Sequence, residues 1–390
     1  MKSVELFAGA GGLALGVSHA GFRPAAVIEW DQYCCDTVRE NQSRKFSPVV
    51  HWPLIQGDVR DFDFRAIGGD VDLVSGGPPC QPFSICGKHR GYMDKRDMFP
   101  EAIRAVRELQ PQALLIENVR GLTRPAFASY FEYIRLQFTY PEITALSGET
   151  WMDHHARLER YHTHGRPSGL HYNLVSRVLN AADYGVAQRR ERVFLVGFRA
   201  DLDVEWSFPD PTHSQEALLW SQCCSGEYWD MHRIARKNRE DNPRARASAE
   251  RLKEPPSLLA WRTVRDTLSD LPDPEFHPFE AKRYSNHQFQ PGARSYPGHT
   301  GSPLDEPAKT LKAGDHGVPG GENMLRRPDG SIRYFSVRES ARLQTFPDDF
   351  LFHGSWSETM RQLGNAVPVM LANIVAGSIR DHLKPDSCRA

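Results

Sequence analysis

The chain has 390 residues, of which 40% are hydrophobic and 25% charged, and its formal net charge is −1. This ordinary globular composition allows one large domain or two unequal ones, and the total charge gives no indication of nucleic-acid binding. Seven cysteines without a C-x-x-C spacing argue against a zinc ribbon or a redox pair and favour reduced thiols inside a cell. No run reaches the roughly 18 apolar residues that a membrane span needs, so we expect no membrane contact.

Strand-like and helix-like segments alternate through residues 1–199. Strands are predicted at SVELF, AAVIEW, LIQGD, VDLVSG, ALLIENV, NLVSRVLNA and RVFLVGF. Helices are predicted after the first strand, at MFPEAIRAVREL and at FASYFEYIRLQF. This alternation predicts an α/β fold with a mostly parallel central sheet and helices on both faces.

The character of the chain changes near residue 200. Residues 200–339 are rich in Pro, Gly and charge, with helical periodicity only around 214–252. We therefore predict a larger domain made of 1–199 and 340–390, and a smaller, irregular domain at 200–339. The last stretch predicts a helix that returns to the first sheet, with apolar positions at Val369, Leu371, Ile374, Val375 and Ile379.

A histidine-rich segment at 141–171 is predicted to be an insertion within the larger domain. It carries five histidines, of which His162 and His164 are candidate metal ligands. Nothing supplies third and fourth ligands at a recognisable spacing, so a solvated loop is the favoured interpretation and no metal is expected.

A glycine-rich stretch, FAGAGGLALG, follows the first predicted strand and opens a helix. Gly9, Gly11 and Ala14 fit the G-x-G-x-x-A spacing, in which a ligand approaches the backbone closely at a helix N-terminus. The spacing alone does not separate an NAD enzyme from one that uses another adenosine cofactor. Glu29 and Asp58 end the second and third predicted strands and are candidates for ribose hydroxyls and an adenine amino group.

A cysteine stands behind two prolines in GGPPCQPFS, directly after a predicted strand. Consecutive prolines end a strand and stiffen its exit, so we expect Cys80 on a rigid loop at the carboxyl edge of the sheet, where ligands bind. Glu117 follows the apolar run ALLI, so it either caps local backbone or works as an acid. In AQRRERVFLVGF, strand alternation would place Gln188, Arg190 and Arg192 on one face.

Together, the motifs FAGAGG, EWD, GDV, GGPPCQPFS, ENV, QRRER, RESARLQTFP and GNAVP resemble those of cytosine-5 DNA methyltransferases of prokaryotic restriction–modification systems. The matching segments are 3–120, 172–199 and 336–382. The resemblance implies a Rossmann-like, S-adenosylmethionine-dependent methyltransferase fold, plus a smaller irregular target-recognition domain. It also implies methyl transfer from S-adenosylmethionine to carbon 5 of a cytosine flipped out of duplex DNA.

The resemblance also implies roles for the candidate residues. Cys80 would be the nucleophile that adds to carbon 6 of cytosine, with Arg190 assisting the thiolate. Glu117 would hold ring nitrogen 3 as a protonated acid, and Arg192 would contact the exocyclic oxygen. The residues expected to surround the methyl donor are Phe7, Gly9, Gly11, Gly12, Leu13, Glu29, Trp30, Asp58, Val59, Pro78, Asn365 and Val367.

The predicted DNA contacts come from two regions. Residues 81–97 resemble the family's mobile loop that closes over DNA, although position 86 is Cys where relatives often carry Ser. The basic run Arg233–Lys253 and the glycine-rich run Thr310–Gly321 are candidates for following phosphates and reading the groove. A solvated helix face and a plain surface turn are the alternatives. The residues expected at DNA are Gln81, Ser84, Cys86, Lys88, Arg96, Gln188, Thr310, Lys312 and Gly314.

Three other functions fit parts of the pattern. A transfer-RNA cytosine-5 methyltransferase shares the chemistry but has a much shorter recognition region. An NAD-dependent dehydrogenase needs neither Pro-Pro-Cys nor Glu-Asn-Val, and a protein that only binds DNA does not need Cys80, Glu117 and Arg192. We therefore expect a monomeric, cytoplasmic, nucleoid-associated prokaryotic enzyme acting on double-stranded DNA. Its expected partner in function, without physical contact, is a cognate restriction endonuclease from which it protects DNA.

Overall fold

Seven strands form one sheet in the computed structural model of the protein, which describes residues 1–79, 97–165, 169–239, 242–297, 299–313 and 321–383. The strands are β1 (Lys2–Leu6), β2 (Arg23–Glu29), β3 (Leu54–Gln56), β4 (Leu73–Gly76), β5 (Ala113–Val119), β6 (Tyr172–Asn180) and β7 (Glu191–Arg199). Their order is β3-β2-β1-β4-β5-β7-β6. The neighbours from β3 to β5 are parallel, and β7 runs antiparallel to β5. The predicted α/β fold with a mostly parallel sheet is confirmed.

Helices connect the strands and make up much of the rest of the described chain. Those between the strands of the large sheet are α1 (Gly12–His19), α2 (Gln32–Ser43), α3 (Phe99–Leu109), α4 (Ala128–Thr139) and α5 (Trp151–His164). Those that follow the sheet are α6 (Gln215–Leu219), α7 (Glu227–Met231), α8 (Pro243–Ala249), α9 (Val264–Leu268), α10 (Pro278–Ala281), α11 (Val337–Leu343), α12 (Trp356–Asn365) and α13 (Val369–Leu383).

Two small sheets accompany these later helices. The strands β8 (His213–Ser214) and β9 (Leu259–Ala260) pair in parallel. The strands β10 (Ser302–Pro303), β11 (Met324–Arg326) and β12 (Ile332–Tyr334) form a second sheet in that order. Such short strands agree with the irregular character that the sequence predicts for this part of the chain.

Contacts divide the chain into two compact units. The first contains Met1–Leu179, Glu191–Pro209 and Ala372–Ala390, and the second contains Asn180–Arg190 and Asp210–Leu371. Most of α13 therefore belongs to the first unit, where the Arg380 guanidinium donates to the Ala20 carbonyl at 2.7 Å. The C-terminal helix thus returns to the unit of the first strands, as predicted. The predicted target-recognition domain at 200–339 is a functional assignment and stays a prediction.

The centre of the first unit is the apolar middle of its sheet. Val4 and Leu6 of β1, Val74 of β4, and Leu114 and Ile116 of β5 are at most 1% exposed and belong to one core cluster. Strands that are apolar on both faces are typical of parallel sheets covered by helices. The strand order reverses between β1 and β4. In open α/β sheets, ligands bind in the crevice outside the carboxyl ends of such a strand pair.

The histidine-rich segment contains helix α5, so the predicted solvated loop is wrong for these residues. A reciprocal capping box between Thr150 and Asp153 starts the helix, and Leu158 packs in the core at 0% exposure. His154 is 1% exposed, with its Nδ1 atom 2.8 Å from the Tyr133 hydroxyl. Burial lowers the pKa of His154. Within the described ranges, no group of three His, Cys, Asp or Glu side chains is placed to hold a metal ion.

One stretch of the described chain, 356–383, is long and apolar enough to cross a membrane when judged by length and composition. Of its most apolar window, 61% is buried inside the protein, and residues 366–368 separate α12 from α13. Because a buried core helix passes the same test, this stretch is weak evidence for a membrane span.

A buried ion pair stabilises the second unit. The Arg333 guanidinium donates to both carboxylate oxygens of Glu339 at 2.7 Å each. The two side chains are only 4% and 3% exposed. Glu339 also accepts from the backbone N–H of Ser336 at 2.8 Å, which closes the capping box at the start of α11. Arg333 Nε also lies 3.2 Å from Asp273, whose side chain is 24% exposed, so loss of Glu339 would leave the buried guanidinium dependent on this more exposed carboxylate.

Replacing Glu339 with Gln is therefore expected to lower the free energy of unfolding by about 3 kcal/mol, measured by urea denaturation. The double variant Arg333→Met/Glu339→Leu removes both charges, so it should recover at least about half of that loss. A single variant within about 1 kcal/mol of wild type would contradict the assignment of this pair as a stabilising contact.

Candidate active site

The turn after β1 has three residues in the left-handed region of backbone space. The φ angles are 53° at Phe7, 56° at Gly9 and 93° at Gly11. Glycine adopts such angles without steric cost, whereas Phe7 does not. Gly12 and Leu13 follow as buried residues in the first turn of α1. A Cβ on Gly9 would meet no atom within 4 Å, so open space lies beside the turn.

The carboxylate of Glu29 connects the end of β2 to this turn. Its Oε2 accepts from the backbone N–H of Gly9 at 2.6 Å, and its Oε1 accepts from those of Trp30 and Asp31 at 2.9 and 2.8 Å. Glu29 is 7% exposed. Burial raises the pKa of Glu29, and the three N–H donors oppose that shift. Glu29, which is predicted to bind ribose hydroxyls, therefore also fixes the shape of the glycine-rich turn.

Trp30 of the EWD motif and Asp58 of the GDV motif lie nearer the surface than Glu29. Trp30 is 72% exposed, so its ring is accessible to a ligand. The Asp58 carboxylate accepts from the backbone and side chain of Arg60 at 3.0 and 2.9 Å, and this partner lowers the pKa of Asp58. Val59 is 5% exposed, and its carbonyl accepts from the Arg104 guanidinium at 2.8 Å.

Two glycines at the end of β4 bring three strands close together. A Cβ on Gly76 would lie 2.8 Å from the carbonyl oxygen of Leu6 on β1. A Cβ on Gly77 would lie 3.0 Å from Oε2 of Glu117 on β5. A side chain does not fit at Gly76 because the neighbour is backbone, whereas at Gly77 the Glu117 carboxylate would have to shift. The exit from β4 therefore runs directly against Glu117.

The peptide that precedes Cys80 is held by two residues. The Asn118 side chain donates to the Pro78 carbonyl at 2.9 Å, and the backbone N–H of Met98 lies 3.5 Å from the Pro79 carbonyl. The sequence prediction missed Asn118, although the ENV motif contains it. The candidate residues that lie outside the described ranges are Cys80, Gln81, Ser84, Cys86, Lys88, Arg96 and Gly314.

Glu117 and Arg192 form a nearly buried ion pair in the first unit. The antiparallel register pairs Glu117 with Phe194 and Val119 with Arg192, which makes Glu117 and Arg192 diagonal neighbours on one face. Arg192 Nε lies 2.9 Å from Glu117 Oε1, and the side chains are 12% and 9% exposed. Burial lowers the pKa of Arg192, and Glu117 opposes that shift. The structure thus brings together two of the predicted catalytic side chains.

The remaining residues of the QRRER motif have other partners. Because β7 begins at Glu191, the predicted strand alternation from Gln188 is wrong. Gln188 and Arg190 are 0% exposed and lie in the second unit. The Gln188 amide accepts from the Leu311 N–H at 3.0 Å, and Arg190 donates to the carbonyls of Leu311 and Gly364 at 2.9 and 2.6 Å. Their predicted DNA and catalytic roles stay predictions.

Four more candidates belong to the second unit. The Thr310 hydroxyl donates to a backbone carbonyl of the QRRER stretch at 2.6 Å. The Lys312 side chain is 55% exposed, and its ammonium lies 2.7 Å from Glu322. Asn365 is the exposed last residue of α12, and Val367 is 4% exposed. Their expected contacts with DNA or the methyl donor stay predictions.

A family profile described as C-5 cytosine-specific DNA methylase matches residues 1–140 and 166–381. The chain belongs to the C-5 cytosine-specific DNA methylase family. It is a type II DNA (cytosine-5-)-methyltransferase of restriction–modification systems, so the predicted family, enzyme class and reaction are confirmed. The unmatched residues 141–165 contain helix α5 and lie within the predicted insertion.

Relatives and solved structures agree with this family. The type II methyltransferase M.PspPI of Psychrobacter sp. is 33% identical, over 96% of this chain and 78% of its own length. M.NgoMIV of Neisseria gonorrhoeae is 32% identical over 99% of both chains. The crystal structure of Schizosaccharomyces pombe Dnmt2 superposes with a TM-score of 0.58 at 17% identity, covering 99% of this chain and 100% of that one. That likeness concerns the fold alone.

Replacing Asn118 with Ala removes the side-chain donor that holds the Pro78 carbonyl. We expect a roughly tenfold lower kcat with little change in KM, because one hydrogen bond that positions the peptide before Cys80 is lost. Steady-state methyl transfer to DNA measures both constants. Asn173→Ala, on the exposed side of β6, is the control and should behave as wild type. A wild-type kcat for Asn118→Ala would contradict the positioning role.

Proposed function

We propose that the chain transfers a methyl group from S-adenosylmethionine to carbon 5 of a cytosine that has left the stack of duplex DNA. The observation that carries the proposal is the Glu117–Arg192 pair beside the exit from β4. There, Gly77 lies against Glu117 and Asn118 holds the Pro78 carbonyl, two residues before Cys80. An acid, a cation and a thiol are the groups that activation of a cytosine ring requires.

The residues around the glycine-rich turn fit S-adenosylmethionine. Glu29 uses three of the roughly four acceptor positions of a carboxylate, which leaves one for a ribose hydroxyl. Open space beside Gly9 and the exposed Trp30 ring allow an adenosine group to approach. Asp58 would exchange Arg60 for an adenine amino group, and this exchange costs little because ion pairs between exposed side chains are weak.

The residues proposed to hold S-adenosylmethionine are Phe7, Gly9, Gly11, Gly12, Leu13, Glu29, Trp30, Asp58, Val59 and Pro78. The sequence resemblance also implies Asn365 and Val367 for this role. When bound, S-adenosylmethionine supplies an electrophilic methyl group. The chain supplies the position and the charge environment of the acceptor base.

Carbon 5 of cytosine is a poor nucleophile, and the proposed role of Cys80 is to change that. Its thiolate forms a bond to carbon 6, and the electron pair of the 5,6 double bond becomes available at carbon 5. After carbon 5 has gained the methyl group, its proton is removed and the bond between carbon 6 and sulfur breaks. The double bond and the thiolate are then restored.

Glu117 and Arg192 are proposed to stabilise the attacked ring. In the free protein each is the ionic partner of the other. When Arg192 donates instead to the exocyclic oxygen of the base, Glu117 loses the cation that favours its charged form. Uptake of a proton by Glu117 is then favoured, and the neutral acid can donate to ring nitrogen 3. Arg190 would act through position, because its guanidinium is bound to two backbone carbonyls.

We further propose that residues 200–339 read the DNA sequence. The run Arg233–Lys253 places exposed basic side chains on and around α8, where they can follow phosphates. Thr310 and Lys312 belong to the glycine-rich run that is proposed to read the groove. The enzyme would work as a monomer in a prokaryotic cytoplasm and protect DNA from a cognate restriction endonuclease without binding it.

Cys80→Ala should abolish methyl transfer while leaving DNA binding intact, because the sulfur makes the covalent bond but is not needed for duplex contacts. A loss of at least about 10³-fold is expected in transfer of radiolabelled methyl groups to duplex DNA. Binding of the same duplex, measured by fluorescence anisotropy, should stay within about threefold of wild type. Residual incorporation at wild-type level would exclude Cys80 as the nucleophile.

A duplex that contains 5-fluorocytosine at the target should trap the enzyme. Fluorine cannot leave carbon 5 as the proton does, so the bond between sulfur and carbon 6 persists. Mass spectrometry should show a covalent protein–DNA adduct with wild type and none with Cys80→Ala. Bisulfite sequencing of DNA from cells that express the protein supplies the target sequence for this duplex. Absence of the adduct with wild type would contradict the covalent mechanism.

A further inference from the structure

A buried carboxyl group lies between the two strands that lead into the site. Glu5 of β1 pairs in register with Val27 of β2 and with Ser75 of β4. It is 1% exposed, and the Ser75 hydroxyl donates to its Oε2. Among the described residues, its Oε1 has no hydrogen-bond partner. The methyl-transfer chemistry proposed above does not use this group.

The protonation state of Glu5 changes with pH near neutrality. Burial raises its pKa to about 7, and the hydroxyls of Ser3 and Ser75 oppose the shift only in part. Within the part of the chain that the structure describes, no charged side chain contributes to the shift. The titratable or charged groups on the neighbouring elements β2, β4 and α1 are Arg23, Glu29 and His19.

The location of Glu5 connects it to both functional segments. One residue after Glu5, β1 ends at Leu6 and the glycine-rich turn begins. One residue after Ser75, β4 ends at Gly76 and leads to the peptide before Cys80. Leu6 and Gly76 are themselves paired, and a Cβ on Gly76 would lie 2.8 Å from the Leu6 carbonyl oxygen. A change in the distance between β1 and β4 at Glu5 and Ser75 would therefore affect both the glycine-rich turn and the peptide before Cys80.

We propose that Glu5 is a proton-sensitive positioning residue, which as a neutral acid holds β1 against β4 through Ser75 and on losing its proton loosens the glycine-rich turn and the exit toward Cys80. An ionised carboxylate here would be a buried charge with no cationic partner among the described residues, and hydroxyl donors do not replace its hydration. The inference rests on the proposed functions of the turn and of Cys80.

The first test uses the protein without any ligand. Difference infrared spectra recorded from about pH 5 to about pH 9 should show a neutral carboxylic acid band that disappears with a midpoint of about 7. Glu5→Gln should lack this band. Because the folded-state pKa lies above that of an unfolded Glu, the stability from the neutral acid is lost as pH rises toward the folded value. The Tm of wild type should therefore fall relative to that of Glu5→Gln over this pH range.

The second test compares methyl transfer by wild type and Glu5→Gln. All other side chains are the same in the two proteins, so the ratio of the wild-type to the Glu5→Gln kcat/KM for S-adenosylmethionine isolates the effect of Glu5. We expect this ratio to fall at least about threefold as pH rises through the folded pKa. Glu101→Gln on α3, where Glu101 pairs with Arg104 at 2.7 Å, is the matched control and should give a pH-independent ratio.

Ser75→Ala keeps the proposal testable if Glu5→Gln does not fold. Removing a hydroxyl that lowers the pKa of Glu5 should move the infrared midpoint to higher pH. An unmoved midpoint, a band that persists in Glu5→Gln, or a kcat/KM ratio that is constant with pH would overturn the proposal. Absence of methyl incorporation by wild type at every pH would instead contradict the proposed function, and the infrared result would still decide the state of Glu5.

Discussion

The absence of side chains at Gly76 and Gly77 is the constraint on which the site of the first unit depends. A Cβ at either position would press on the Leu6 carbonyl or on the Glu117 carboxylate. Without these atoms, β1, β4 and β5 converge at their carboxyl ends. The glycine-rich turn, the peptide before Cys80 and the Glu117–Arg192 pair therefore lie along one edge of one sheet. The apolar strands beneath, buried on both faces, keep that edge rigid.

Much of this edge could be predicted from local sequence. Apolar runs of four to seven residues bounded by Gly and Pro identify parallel strands, and residues just beyond such strands share the ligand-binding edge. Glu29 is a candidate for that reason, whereas Glu117 is a candidate because an ionised carboxylate after the apolar run ALLI is costly. The apolar runs do not reveal the register between β5 and β7, because the residues of these two strands are far apart in sequence. The diagonal contact of Glu117 with Arg192 depends on that register and required the structure.

Three features escaped prediction for identifiable reasons. Helix α5 was expected to be a loop because histidine counts as polar, yet a neutral imidazole such as His154 can be buried when a tyrosine hydroxyl satisfies it. The strand alternation assumed at Gln188 requires that β7 already runs there, but β7 begins at Glu191 and Gln188 forms an isolated bridge with Ala308 instead. Asn118 acts on Pro78, forty positions earlier in the chain, and no local pattern reveals such a contact.

In the proposed mechanism, Arg190 and Arg192 of the QRRER motif have different roles, the first in positioning and the second in contacting the base. Arg190 is fully buried and donates to two backbone carbonyls, which are fixed dipoles that have no alternative state. Arg192 is also nearly buried, but its charged partner is a carboxylate that can itself be neutralised. Burial lowers the pKa of Arg192 and Glu117 opposes that shift, so the charged form of Arg192 is stabilised by its hydrogen-bond acceptor. In the proposed mechanism, a base carbonyl would take the place of Glu117 as the acceptor of Arg192 and would release the acid in one exchange. Entry of the base would then be coupled to formation of the acid that activates it, and neither group would be left as an unpaired buried charge.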